Sequence, residues 1–235
     1  RAWPSCGRAR DPRCDVISDS IAYLCEPGLV YELRALDVPR GRSKPVHESG
    51  FFDDLAAMAE AAATLDARGA RGVYLTPNPV RRDLLARRVN RVAYSRRGES
   101  AQDIDIERRN WLLVDLDPKR PAGISSTDAE HNAALDLASE IQNTLLAGGW
   151  PAPVLADSGN GAHLLWHIDE PNDEPTTALL RSVLVELGQR YGTPAVEVDQ
   201  TTFNAARIWK LYGPTSRKGA STPARPHRRA GLISP

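Results

Sequence analysis

Three acidic positions and one glycine-rich loop are where this sequence can do chemistry. Asp115 and Asp117 flank Leu116 at the end of the apolar run Trp111–Asp117. In a strand, residues two apart point to the same face, so both carboxylates project together. At the end of a buried strand they repel each other and are costly unless a cation neutralises them. Oxygen-only ligands suit Mg²⁺ or Mn²⁺, which keep waters and take further oxygens from a substrate phosphate. Taken alone, an Asp-x-Asp pair is shared with turn acids and with the manganese motif of glycosyltransferases.

Ser158-Gly159-Asn160-Gly161-Ala162-His163 follows downstream as a small loop feeding a strand. Glycines let backbone N–H groups approach an anion closely, and Ser158 adds a hydroxyl donor. Read so, Gly159 and Gly161 admit a phosphate and His163 donates to one of its oxygens; a tight hairpin turn with a surface histidine has the same sequence. His167 shares the strand face of His163 by parity and is read as a structural neighbour. Val196 to Asp199 is a third apolar strand ending in an acid, so Asp199 can complete a three-carboxylate site. Arg207 and Lys210 come next, a planar fork and a point charge for a triphosphate. A helix over Asn204–Lys210 keeps Arg207 and Lys210 on one side, whereas a strand makes them diverge.

The elements that must position these residues alternate along the chain. Residues 1–20, with Pro4, Gly7 and Pro12, show no periodicity and read as a flexible leader. A strand is predicted over Leu29–Leu36, a polar loop over Gly41–Gly50, and a helix over Asp53–Arg68 with Leu55, Met58, Ala59, Ala62 and Leu65 on one stripe. Gly72–Thr76 reads as a strand and Arg82–Asn90 as a basic helix. Trp111–Asp117 reads as a buried strand, with Trp111 in the core. Thr127-x-x-Glu130 is a capping box opening another helix. Strands over Pro153–Asp157 and Ala162–Ile168 bracket the glycine loop, and Thr177–Arg190 is amphipathic. The hairpin-like pair of strands argues against a purely parallel sheet, so the expected class is α+β (mixed α/β) with the acids on a central antiparallel sheet. Residues 21–230 are expected to form the working domain and 231–235 a tail. A chain opening on Arg1 and stopping at Pro235 is expected to be a piece of something longer.

Composition bounds the partners. The 30 basic and 30 acidic residues cancel, so only local charge is informative. One basic stretch runs from Arg81 to Arg97; a second, Arg207 to Arg229, contains no acid. Both fit a phosphate footprint or an ordinary solvated surface. Asn78, Arg87, Arg88, Asn90, Arg91, Arg217 and Lys218 are the candidates for contact with nucleic acid. No apolar run approaches the roughly 20 residues of a membrane helix. Cys6, Cys14 and Cys25 lack zinc-ligand spacing and a nearby histidine, so neither zinc nor a disulfide framework is expected, and the chain reads as cytoplasmic.

Asp115-x-Asp117, Ser158-Gly-Asn-Gly-Ala-His163 and Val198-Asp199 together resemble the three ordered motifs of the archaeo-eukaryotic primase superfamily. The likeness is nearest to the primase-polymerase domains of phage, plasmid and other mobile-element replication proteins. Asn204-x-x-Arg207-x-x-Lys210-Leu-Tyr-Gly213 with Arg217-Lys218, the stretches Leu75–Val80 and Leu84–Arg87, and Pro121–Asp128 are similar to it too. The resemblance runs from about Pro27 to Arg229. It implies an RRM-like sheet packed beside a second α/β unit with the active site in the cleft. It further implies two Mg²⁺ or Mn²⁺ ions on Asp115, Asp117 and Asp199, and nucleotide phosphates held by Ser158, His163, Arg207 and Lys210. Such a chain makes and extends primers from NTPs or dNTPs on a single-stranded DNA template, and a helicase domain in the full-length protein is plausible. Two other readings stay open: a single-stranded-DNA-binding initiator domain without catalysis, and a manganese-dependent glycosyltransferase.

Overall fold

The computed structural model describes residues 12–234. Two five-stranded antiparallel sheets carry the chain. The first contains β1 (Tyr31–Arg40), β2 (Ser43–Phe52), β3 (Gly72–Leu75), β4 (Ala93–Tyr94) and, from much later in the sequence, β9 (Trp209–Lys210), in the order β4-β2-β1-β3-β9. The second contains β5 (Arg108–Pro118), β6 (Val154–Asp157), β7 (Ala162–Pro171), β8 (Val196–Val198) and β12 (Gly231–Ser234), in the order β12-β6-β7-β5-β8. A two-stranded ladder, β10 (Thr215–Ser216) with β11 (Arg228–Arg229), lies beside them. Four helices complete the fold: α1 (Pro12–Leu24), α2 (Leu55–Ala67), α3 (Asp128–Ala147) and α4 (Glu174–Tyr191). The class is mixed α/β with antiparallel sheets, as expected.

Side-chain alternation along β5 divides the core. Leu112, Val114 and Leu116 pack with Ala134, Ile141, Leu180 and Leu184, under α3 and α4. Trp111 and Leu113 face the other way, into a cluster shared with Leu33, Val73 and Leu75 of the first sheet. The second sheet is therefore covered on one face by helices and on the other by the first sheet. Both faces are apolar, which is why Trp111–Leu116 is continuously hydrophobic rather than alternating. The odd positions that turn toward the first sheet continue to Asp115 and Asp117. The helix starts follow local chemistry: Thr127 and Glu130 form the reciprocal capping box, and the Asp54 carboxylate accepts from the amides of Ala56 and Ala57.

Several expectations need correction. Residues 12–20 of the supposed leader belong to helix α1, with Pro12 at the helix start, where its missing N–H costs nothing. Ile17, Ile21 and Leu24, spaced i, i+4 and i+7, are buried in the shared core; residues 1–11 lie outside the described residues. The polar loop over 41–50 is mostly β2, whose exposed first half masks a strand that pairs with β1 along its length. The basic helix is a short 3₁₀ segment, Arg82–Arg87. The tail 231–234 is β12, an edge strand on β6; Pro235 is outside the described residues. Among the described residues no helix is long and apolar enough to cross a membrane. Cys25 is a buried free thiol, while the side chains of Cys6 and Cys14 lie outside those described.

Because Ile21 is 1% exposed in a core that spans both sheets, Ile21→Ala should lower the unfolding free energy by about 2–5 kcal/mol. Chemical denaturation checks this; a loss below about 0.5 kcal/mol would detach α1 from the core.

Candidate functional site

Strand order brings the predicted acids and histidine into one row. β5 lies between β7 and β8, with Asp115 directly opposite His163 on β7. On the other side the β5–β8 register pairs Leu116 with Val198, and the Asp199 amide donates to the Asp115 carbonyl at 2.8 Å. Asp199, Asp115 and His163 thus stand across three adjacent strands at one level, on the face turned toward the first sheet. Asp117 lies one step further along β5 on that same face.

A cavity of about 140 Å³ opens over this row. Asp115, Asp117, Asp199, Ser158 and His163 line it from the second sheet, and Tyr74, Arg207, Trp209, Lys210 and Lys218 line it from other segments. One side is therefore acidic and the other cationic. Burial alone would push the Asp115 carboxyl up, but His163, 3.4 Å from it, with Lys218 and Arg207, outweighs burial and holds it below the usual carboxylate range. Asp117 is pushed up by burial and by the charge of Asp115, against Lys218 and Arg120; Arg120 reaches its carboxylate at 3.3 Å. The Asp199 carboxylate accepts from the Thr201 amide at 2.8 Å and the Thr201 hydroxyl at 2.7 Å. Among the described residues no three His, Cys, Asp or Glu side chains close on one point as a metal shell. Asp115 and Asp117 offer a hard cation two carboxylates on one face, and Asp199 borders the same space with its carboxylate turned to Thr201. The donor set fits a divalent oxygen-liganded ion that completes its shell with substrate oxygens.

His163 is oriented from behind. Its Nδ1 lies 2.9 Å from the Tyr212 hydroxyl, which also accepts from Trp209 Nε1–H at 2.9 Å. An indole N–H can only donate, so the buried Tyr212 oxygen accepts there and its one proton is available to His163 Nδ1. Burial pushes the Tyr212 hydroxyl well up, keeping that proton in place. With Nδ1 accepting from Tyr212, the ring hydrogen that faces Asp115 and the cavity is the one on Nε2. The Trp209 ring lies on His163, centroids 4.0 Å apart, and supports it from that side. Tyr212 and Trp209 lie in the segment Asn204–Gly213, and nothing in the sequence marks them as positioning His163.

Lys210 is 7% exposed, and its Nζ has no hydrogen-bond partner. It sits over the Tyr74 ring, 4.4 Å from the centroid, at the edge position opposite Tyr74 on β3. Burial, and then Lys218, Arg71 and Arg217, bring its pKa down to about 7. Arg207 is half-buried in a turn, donates to the Thr201 carbonyl and hydroxyl, and leaves its Nε unpartnered. Since β9 begins only at Trp209, neither the helix nor a continuous strand over 204–210 forms; both cations nonetheless reach the cavity.

The glycine loop works differently from expectation. The Gly159 amide donates to Asp157 at 2.6 Å and the Gly161 amide to Ser158 Oγ at 3.0 Å, so neither is free for an anion. Their lack of a side chain has a packing reason. A Cβ on Gly161 would fall 2.2 Å from the Leu116 carbonyl oxygen; one on Gly159, at positive φ, would fall 2.8 Å from Ser216 Cβ. Asn160, missed in the sequence, ties the loop to Ser126 and Ser216 at 2.9 and 2.8 Å. His131, also missed, holds Asp157 at 2.9 Å. Nothing but such tertiary partners marks these residues.

The nucleic-acid candidates divide. Asn78 is buried, bonded to the Ala205 carbonyl and the Asn110 amide. Arg88 is spent on Ser49, Tyr94 and Glu99, and Asn90 on Asp53 and Asp54. Arg217 is held by Asp66 at 2.6 Å. These four are held by partners within the protein. Arg87 and Arg91 are exposed, and Lys218 lines the cavity instead.

No family model matches the chain, and no curated protein matches it either. Three solved structures are similar over most of its length. The crystal structure of primase RepB' shares 12% identity at a TM-score of 0.48, over 94% of this chain and 55% of that one. The catalytic domain of primase Repb' in complex with initiator DNA shares 12% at 0.43, over 95% and 85%. The polymerase domain from Mycobacterium tuberculosis Ligase D in complex with DNA shares 17% at 0.49, over 92% and 80%. The structural neighbours are a primase and a polymerase domain. The chain spans about half the length of the first of them.

Two outcomes test the site. Lys210 has a folded pKa of about 7 against an ordinary 10.5, so the unfolded chain binds the extra proton between those values and the wild type gains stability as pH rises through that window. Lys210→Met should therefore be the more stable protein near pH 7, by at least about 1 kcal/mol, with the gap closing toward pH 10 in denaturant titrations. For His163, ¹⁵N ring shifts should show the Nε2–H form in the wild type and a mixture in Tyr212→Phe; an Nδ1–H wild type would reverse the hydrogen-bond assignment.

Proposed function

We propose that this chain is a nucleotidyltransferase that makes and extends nucleic-acid primers on a single-stranded DNA template in replication, using NTPs or dNTPs. The observation that carries the reading is the two-sided cavity: Asp115, Asp117 and Asp199 on one wall, with Arg207, Lys210 and Lys218 opposite. A triphosphate with divalent cations presents both signs of charge to such a site. The sheet of β5, β7 and β8 takes the part of the RRM-like catalytic sheet, and the space between it and the first sheet that of the active-site cleft.

Asp115 and Asp117, joined by Asp199, would hold two Mg²⁺ or Mn²⁺ ions. Ions so held supply charge neutralisation and make a 3′-hydroxyl easier to deprotonate. The chain's own groups then do the positioning. His163 donates through Nε2 to a phosphate oxygen, its ring fixed by Tyr212 and Trp209. Lys210, uncharged about half the time near pH 7 in the empty site, becomes fully charged against an anion. Arg207 meets the outer phosphates as a fork. Ser158, with Gly159 and Gly161 permitting close packing beneath it, shapes the floor. No protein nucleophile is needed, because an attacking hydroxyl held in line displaces pyrophosphate directly.

Asp117→Asn keeps the shape and removes one charge. Primer-free synthesis and primer extension on single-stranded template, with Mg²⁺ or Mn²⁺, should fall at least about 100-fold while the thermal transition is retained. Synthesis at the wild-type rate would remove Asp117 from the site, and no nucleotide incorporation by the wild type would overturn the reading.

A further inference from the structure

The first sheet has a second charged region, at the edge furthest from the cavity. The order β4-β2-β1-β3-β9 puts β9, with Lys210, at one border and β4 at the other. Four inter-strand steps of about 4.8 Å separate them by roughly 19 Å. Next to that border, the turn that joins the central strand β1 to β2 carries Arg40, Arg42 and Lys44, all exposed. β4 runs antiparallel to β2, with Tyr94 opposite Glu48 and the Ser95 amide bonded to the His47 carbonyl. The chain after Tyr94 therefore heads toward the hairpin end, bringing exposed Arg96 and Arg97 alongside it.

Apart from Arg96, whose charge acts on Glu99, the charge here is uncompensated. Each nearby acid is already engaged: Glu48 by Arg68 at 2.7 Å, Asp37 by Arg71 at 2.6 Å, and Glu99 by Arg88. Arg40, Arg42, Lys44, Arg96 and Arg97 make no salt bridge among the described residues. In their midst stands an aromatic ring. Tyr94 is 46% exposed, and the Arg40 guanidinium lies 5.8 Å from its centroid. Cations on an edge strand also deter edge-to-edge pairing, but that needs no exposed tyrosine beneath one of them. A row of free cations around an exposed ring matches a polyanion with planar bases: phosphates to the cations, a base to the ring.

We propose that the β1–β2 hairpin end and β4 form a docking edge for single-stranded nucleic acid, with Arg40, Arg42, Lys44, Arg96 and Arg97 on the backbone and Tyr94 stacked on a base. The proposal rests on the primer-synthesis reading for its template, and it places that strand's outlying segment away from the acids. Arg96 and Arg97 close the basic stretch that begins at Arg81, whereas Arg40, Arg42 and Lys44 were not read as functional from type or motif.

Binding of a fluorescein-labelled 20-nucleotide oligothymidylate, followed by anisotropy across a salt series without nucleotides or metal, tests the edge apart from the chemistry. The triple variant Arg40→Ser, Arg42→Ser, Lys44→Ser should bind at least tenfold more weakly near 0.1 M salt. Its dependence of log affinity on log salt should be shallower by about 2, from roughly 0.7 per cation removed. Tyr94→Ala should weaken binding at least fivefold and leave that slope unchanged. Asp117→Asn should bind like the wild type, and the triple variant should keep the wild-type turnover at saturating primer-template. Wild-type affinity and slope in the triple variant would overturn the proposal, including the case where that variant instead self-associates and so shows the cations to be edge guards. Equal displacement of the oligonucleotide by heparin at matched charge, with Tyr94→Ala silent, would also overturn it. Absence of nucleotide incorporation by the wild type would sink the primer-synthesis reading and leave these binding results to be judged separately.

Discussion

Putting two carboxylates at the inward-facing end of a buried strand is electrostatically expensive, and the rest of the structure is arranged around that expense. Asp115 and Asp117 sit where β5 has already committed its odd positions to the interface between sheets. A protein that needed them only for stability would pair each with a cation and exclude solvent, or replace both with apolar residues. Here the pairing is partial. Arg120 reaches Asp117 at 3.3 Å and His163 reaches Asp115 at 3.4 Å, while Lys210 is left without a partner in the same cavity. Like charges are collected on each wall, and Lys210 is kept from meeting the acids across from it. Such an arrangement is unfavourable in the empty protein and is relieved by a ligand that carries both signs. That balance, more than any single residue, gives the cavity its chemical direction.

What was legible in the sequence was whatever depends on near neighbours along the chain. Parity along β5 put Asp115 and Asp117 on one face, the Thr127–Glu130 spacing set the start of α3, and the stripe of Leu55, Met58, Ala62 and Leu65 marked α2. The acids and His163 were found because short motifs in order carry them. Missing were features whose partners are remote. β2 reads as a polar loop because its exposed half is solvated and its pairing with β1 is invisible locally. α1 reads as irregular because its apolar residues, among them Val16, Ile17, Ile21, Ala22 and Leu24, do not keep to one stripe, and only packing on the first sheet selects the helix. Asn78 and Arg217 illustrate the harder limit. A polar side chain near a basic stretch has the same letter whether it meets a phosphate or a carbonyl 127 residues away, and the acids that consume an arginine need not be near it in sequence.

The internal use of the glycine-loop amides has a consequence for how a substrate is held. Where a loop donates its backbone N–H groups to phosphates, one element supplies most of the binding and the rest of the protein can move around it. Here Gly159 and Gly161 spend their amides on Asp157 and Ser158, so the positive charge must come from side chains. Those side chains belong to other parts of the fold: Lys210 lies on β9 of the first sheet, and Lys218 follows β10. The acids and the cations are therefore on different elements, and the distance between walls is set by how the two sheets pack. That packing is one continuous core, in which Leu33, Val73 and Leu75 from one sheet meet Trp111, Leu113 and Leu165 from the other, closed at one side by Ile17 and Ile21 of α1. A close-packed interface of this kind resists sub-ångström displacement. Under the proposed primer-synthesis reading, the precision that aligns a hydroxyl with a phosphorus atom would come from hydrophobic packing well outside the cavity, and helix α1, chemically blank, would belong to the working part of the molecule.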